Sequence, residues 1–241
     1  MRGTGFLAIW SDVERSGLTD YLHWLTREHT TERVMTDGFL ASRVCRAIRP
    51  DIDRFFIFYE LEMPEVLDGP AYLARLNAPT PWSRRIMPTL GNFIRGGGVM
   101  TARAGRGEGA FVAALRIEQM PDAPQVLADR LASLDRVAAV QIGATDRART
   151  SVPTVEKGMR QQEGVFSGLV IVEALDEEAL RDALRQAAEI VPDVFGDIGD
   201  PEIYGGMFAL DVRIVPPPVD TAAASLRCDR GEGDRAGRIG A

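Results

Sequence analysis

The chain has 241 residues, 45% of them hydrophobic and 26% charged, with a formal net charge of −7. That composition is the one expected of a globular chain long enough to bury one large core or two ordinary ones. The acidic balance argues against a nucleic-acid partner, because phosphate binding needs a basic surface. The chain has two cysteines, Cys45 and Cys228, too few for a disulfide framework. The first apolar run, 5–10, is cut off by Ser11 and Asp12, and no stretch reaches the length of a membrane span. The expectation is a cytoplasmic location with neither a membrane nor a nucleic-acid partner.

A first strand is expected over 5–10, feeding a helix that starts near Gly17 or Leu18. Asp37-Gly38 closes that helix region with a residue suited to positive φ. Strands follow over 39–47 and 54–61, separated by turn chemistry at Arg49-Pro50-Asp51. Pro64 and Pro70 each open a short helix. Thr80-Pro81 is an N-cap followed by proline at the first helical position, and that helix is expected to run towards Phe93 with a bend at Pro88. Gly96-Gly97-Gly98 reads as its stop, with a fourth strand over 99–104. The first half is therefore β-α-β-β-α-β, the ferredoxin-like arrangement.

The second half repeats the pattern without visible residue repetition. Strands are expected over 111–118, 136–143, 165–174 and 204–215, with helices over 123–134 and 176–191. Asp176 is the N-cap of the latter, with Glu177 and Glu178 in its first turn. Residues 105–109 link the halves, and the insertion 147–164, carrying Lys157 and Glu163, reads as a loop with a short helix. The division is a first ferredoxin-like unit over 1–106, a second over 107–216, and a disordered tail over 217–241 that opens on a proline run and lacks core-forming residues. A four-stranded sheet with both helices on one face leaves its other face bare, and two such sheets can cover each other. The fold class is α+β, two tandem units packed sheet to sheet as an α+β barrel, feasible as a monomer and compatible with a homodimer.

Both histidines, His23 and His29, fall in the first helix. Leu18, Leu22, Leu25 and His29 follow steps of four, three and four, so His29 continues an apolar stripe. Glu32 and Arg33 lie within side-chain reach of it along the helix. A neutral imidazole of ordinary pKa near 6.5 suits proton transfer, with Glu32, or Glu28 on the other helix phase, fixing its tautomer. The plain alternative is a helix histidine bonded to a backbone carbonyl or to Glu32. Arg43 alternates with Phe39, Ala41 and Cys45 and needs a partner, either Glu60 on the neighbouring strand or an anionic ligand. Trp10, Tyr59 and Trp82 are the aromatics placed around a pocket, with core packing as the alternative. Arg33 is a second candidate for holding an anion, or else it caps the helix end. The two histidines sit six apart with no cysteine near, so no metal site is expected.

The run His23-Trp24, Glu28-His29, Glu32-Arg33, Gly38-Phe39 and Arg43, followed by Tyr59-Glu60-Leu61, Tyr72 and Pro81-Trp82, resembles the dimeric α+β barrel superfamily, in particular EthD-like and stress-responsive barrel proteins. Leu25 replaces a tyrosine of that pattern, and Asp37 stands where proline would precede Gly38. The likeness covers residues 5–104, and 110–215 by pattern only. It implies a histidine-bearing cleft, in a superfamily that hosts lyases, isomerases, oxygenases and haem proteins. The resulting expectation is an enzyme without a cofactor, acting by proton transfer of isomerase, cyclase or lyase type on a small organic acid or ring compound. His29 and Glu32 would carry the catalysis; Trp10, Arg33, Arg43, Tyr59 and Trp82 would hold the substrate. The alternatives are a non-catalytic small-molecule or haem-binding barrel, or a structural barrel of a degradation pathway.

Overall fold

The computed structural model describes residues 3–49, 51, 53–160, 162–195 and 201–214. Its strands are β1 (Gly5–Asp12), β2 (Phe39–Ala47), β3 (Arg54–Leu61), β4 (Gly91–Gly105), β5 (Phe111–Ile117), β6 (Val137–Thr145), β7 (Gly168–Ala174) and β8 (Ile203–Asp211). They close into one barrel in the order β1-β3-β2-β8-β5-β7-β6-β4. The first four strands lie as β4-β1-β3-β2 and the last four as β8-β5-β7-β6, the same neighbour order in each run. Antiparallel seams of β2 with β8 and of β4 with β6 join the two runs. Closure pairs the strand edges that an open sheet would leave bare. The two sheets therefore meet edge to edge as well as across the interior.

The period-two alternation of each strand sorts its side chains into two layers. Phe6, Trp10, Phe56 and Phe58 from the first run meet Leu169, Ile171 and Tyr204 from the second, so they fill the barrel interior. The intervening residues, such as Leu7, Ile9, Ile57 and Tyr59, point outward under a helix layer. That layer begins with α1 (Leu18–Trp24), which passes through a π-turn (Leu25–His29) into α2 (Thr30–Val34). It continues with α3 (Pro70–Asn77) and α4 (Pro81–Ile86). Thr80 caps α4 by accepting the Ser83 N–H, as its sequence position implied. Trp24 Nε1 donates to Ser83 Oγ at 3.1 Å, and Trp82 Nε1 donates to Asp20 Oδ1 at 3.0 Å, pinning α1 to α4. The second run is covered by α5 (Pro124–Ala132), with the short α6 (Arg147–Thr150) and α7 (Val155–Gly158) in the insertion, and then α8 (Glu177–Ile190) capped by Asp176. Among the described residues no helix is long and apolar enough to cross a membrane.

The glycine run departs from the sequence expectation. The helix from Pro81 ends at Ile86, a 3₁₀ turn over Met87–Thr89 carries Pro88, and β4 already starts at Gly91. Gly96, Gly97 and Gly98 lie inside this strand and do not stop a helix. A Cβ on Gly97 would sit 2.5 Å from the Phe6 carbonyl oxygen, and one on Gly98 would sit 2.1 Å from that of Ala144. β4 pairs with β1 on one side and with β6 on the other, and glycine permits that double approach. Gly38, at φ +87°, ends the first helix region as expected. The expected tail, 217–241, lies outside the described residues.

Candidate functional site

The π-turn decides what the first helix presents. Thr30 N–H donates to Leu25 O, a five-residue step, so the turn is wider than an α-turn. In an α-helix, residues five apart are rotated by about 140°. Here the wide turn lays the His29 ring over the Trp24 ring, with centroids 4.2 Å apart and planes at 30°. It also keeps Tyr21, Leu25, His29 and Arg33 buried together although they are spaced by four.

His29 is 3% exposed, and its Nδ1 has no hydrogen-bond partner among the described residues. It lines a cavity of about 20 Å³ between the helix and the outward face of the sheet. That volume holds one or two waters. Ser11 and Ile9 of β1, Ile57 of β3 and Arg95 of β4 form its floor, and Glu156 and Arg160 of the insertion close it. The site thus lies between helix layer and sheet, not between the two sheets.

Charge in the cavity wall is dominated by guanidinium. Arg33 is 2% exposed and pairs with Glu156, and with Glu32 at 3.3 Å. Arg160 packs 4.3 Å over the Phe93 ring, pairs with Glu163 at 2.8 Å, and reaches Glu156 at 3.5 Å. Burial, reinforced by Arg33 and Arg160, holds the His29 pKa well below its ordinary value, so the imidazole is neutral at physiological pH. Burial raises the pKa of the Tyr21 and Tyr59 phenols, which stay protonated. Burial opposes the Arg33 charge, but Glu156, Tyr72 and Glu32 outweigh it.

The sequence candidates divide between two layers. His29 and Arg33 meet at the cavity. Glu32 does not orient His29; it pairs with Arg33 and lies 3.7 Å from Arg75. Glu28, the other candidate for that role, accepts from Thr80 Oγ1 at 2.6 Å. Tyr59 is in the same layer as His29, packed edge-on to Phe39, with a buried hydroxyl that has no partner among the described residues. Trp82 serves the α1–α4 contact and does not line the cavity. Trp10 points the other way, into the barrel, against Phe56 and Phe166. Arg43 is also inside the barrel, and its ion-pair partner is not Glu60: it donates to Glu173 of β7 and to the Gly109 carbonyl. Arg33 makes ion pairs in place of a helix cap.

Sequence reasoning missed Arg95, Glu156 and Arg160. Arg95 sits where a helix was expected, and the other two sit in the insertion. The insertion is tied down by Arg149, which forks to Asp68 at 2.7 Å and Glu65 at 2.8 Å. It is also held by Asn77 Oδ1, which accepts the Val155 N–H at 3.1 Å. The Arg149 charge and the Thr154 N-cap were the legible signals that this segment is built.

No family model and no curated protein sequence matches the chain. The fold has counterparts among solved structures. An anthrone oxidase-like protein is 12% identical, with 91% of this chain and 97% of that one covered and a TM-score of 0.55. A Fusobacterium nucleatum protein with a provisional assignment as a monooxygenase is 10% identical, with 88% and 96% covered and a TM-score of 0.53. A Lactobacillus acidophilus protein with the same provisional assignment is 8% identical, with 87% and 97% covered and a TM-score of 0.50. The chain has the ferredoxin-like α+β barrel fold, and at these identities the likeness carries the fold alone.

Proposed function

We propose that the cavity beside His29 is a proton-transfer site for a small organic acid, of isomerase, cyclase or lyase type, working without a resident cofactor. One observation carries the reading: a buried imidazole, kept neutral, with an unpartnered nitrogen, in a cavity walled by guanidinium groups. A neutral imidazole is the basic form. It takes the proton from a carbon next to a carbonyl, the C–H bond breaks, an N–H bond forms, and the electron pair moves onto the carbonyl oxygen. A guanidinium such as Arg33 holds the resulting enolate oxygen, and the proton returns to carbon from the imidazolium. The negative charge of a bound anion offsets the arginines that make imidazolium unfavourable. Glu32 acts on Arg33, as its ion-pair partner, and Tyr59 belongs to the wall of the same layer. The Glu28-His29-x-x-Glu32-Arg33 motif, with its resemblance to EthD-like barrels, supports the same reading.

The volume favours a second reading, a ligand site without turnover, because a cavity of about 20 Å³ admits a ring compound only if the insertion parts. A haem on His29 does not fit, since the space beside the imidazole is water-sized. The two readings separate in heavy water. Small keto acids are incubated with the protein and followed by proton NMR. Wash-in of deuterium next to the carbonyl is expected with the native chain and is lost in His29→Phe, whose unfolding midpoint at neutral pH stays near native. Equal wash-in by His29→Phe overturns the proton-transfer reading.

A further inference from the structure

Arg95 is 6% exposed and projects from β4 into the His29 cavity. It makes two hydrogen bonds, to the Thr150 carbonyl at 3.2 Å and to the Tyr72 hydroxyl at 3.3 Å. Both partners are neutral. A guanidinium carries five N–H groups, so three of them have no partner among the described residues. Its aromatic contact, 5.9 Å over Tyr72, faces the same ring that Arg33 approaches at 5.7 Å.

Its neighbours are in a different state. Arg33 has Glu156 and Glu32, Arg160 has Glu163 and Glu156, and Lys157 reaches Glu163 at 3.5 Å. Glu32 also reaches Arg75, so three carboxylates stand among five cations, and among the described residues Arg95 is the one with no acidic partner within 4 Å. The neutral His29 does not change that balance. Glu163 and Glu156 favour the Arg95 charge only from a distance, without an ion pair. A buried guanidinium with no directly paired carboxylate is costly, and a site that keeps one is suited to receive the opposite charge from outside.

We infer that Arg95 is the anion-binding residue of this cavity and that its ligand enters by a carboxylate group. The planar fork of N–H donors matches a planar two-oxygen anion. The water-sized space beside it suits the small planar head of a carboxylate better than the bulkier tetrahedral phosphate. This names the ligand class of the site proposed above, but it rests only on the cavity and the charge balance, not on catalysis by His29.

The probes are sodium formate, formamide as its neutral isostere, and sodium chloride, compared at equal ionic strength by thermal unfolding and by titration calorimetry. Formate is expected to raise the unfolding midpoint saturably, with formamide and chloride giving no such shift. In Arg95→Leu the formate shift disappears; in Arg95→Lys, which keeps the charge without the fork, the affinity falls by about tenfold or more. Absence of a formate-specific shift in the native chain overturns the inference, whatever the variants do. So does an undiminished shift in Arg95→Leu, and equal stabilisation by chloride overturns the carboxylate class. His29→Phe is expected to retain formate binding. Formate binding together with no deuterium wash-in on any acid would leave Arg95 in this role and overturn the proton-transfer reading alone.

Discussion

Replacing His29 by phenylalanine tests the electrostatics of the cavity through stability. Phenylalanine keeps a ring to stack on Trp24 and removes both ring nitrogens. In the unfolded chain His29 gains a proton as pH falls through about 6.5. In the folded chain burial, Arg33 and Arg160 keep it neutral well below that point. Over the window between the two values the unfolded state binds one more proton than the folded state. Stability therefore falls as pH drops, by about 1.4 kcal/mol for each pH unit of depression. Above about pH 6.5 the group contributes no slope. His29→Phe lacks this contribution, and the remaining titratable groups are common to both chains. Urea unfolding followed by tryptophan fluorescence, at about pH 7.5 and then at about pH 5.5, gives the difference directly. The expected result is that the native chain loses about 1.4 kcal/mol more than the variant over that interval, most of it below pH 6.5. Parallel curves for the two chains would refute the reasoning, because they would mean that His29 protonates in the folded state as readily as in the unfolded one.

Two further outcomes follow from the barrel. Glu173, which also accepts from the Gly109 N–H at 2.9 Å and from Gln141 Nε2 at 3.1 Å, neutralises Arg43 inside the barrel. Glu173→Ala is expected to cost about 3–5 kcal/mol in urea unfolding, and the double change Arg43→Met with Glu173→Leu to recover most of it; a single-variant loss below about 1 kcal/mol would contradict the pairing. Gly98→Ala places a methyl carbon 2.1 Å from the Ala144 carbonyl oxygen, so the β4–β6 seam must shift. It is expected to lower stability by about 1–3 kcal/mol in thermal unfolding, and a native midpoint would count against the close approach.

Signals that act within a few residues were legible. The strands over 39–47 and 54–61, the Thr80 and Asp176 caps, and the turn at Gly38 each rest on alternation, a short side chain or a positive φ that the local sequence specifies. The burial of His29 was legible for the same reason, since an apolar stripe names the inward face of a helix; the burial of Arg33, read as an anion holder or a helix cap, was not. The need for two half-covered sheets to meet followed from their bare faces. What joins distant segments was hidden. Gly96-Gly97-Gly98 reads as a helix stop until Phe6, Phe166 and Ala144 are seen crowding the strand. The π-turn rotates Glu32 towards Arg33 and Arg75, a change of helix phase that residue spacing alone does not register. Arg43 finds Glu173 across 130 residues, and Arg33 finds Glu156 across 123. Arg95 and Arg160 become neighbours of His29 only when the barrel closes and the insertion folds over it. The sequence by itself determined most of the strands, the helix caps and the inward face of the first helix, because those depend on backbone period and local hydrogen bonding. The tertiary structure alone decided which charges share a cavity, because ion pairing and desolvation depend on distances between parts of the chain that no local pattern encodes.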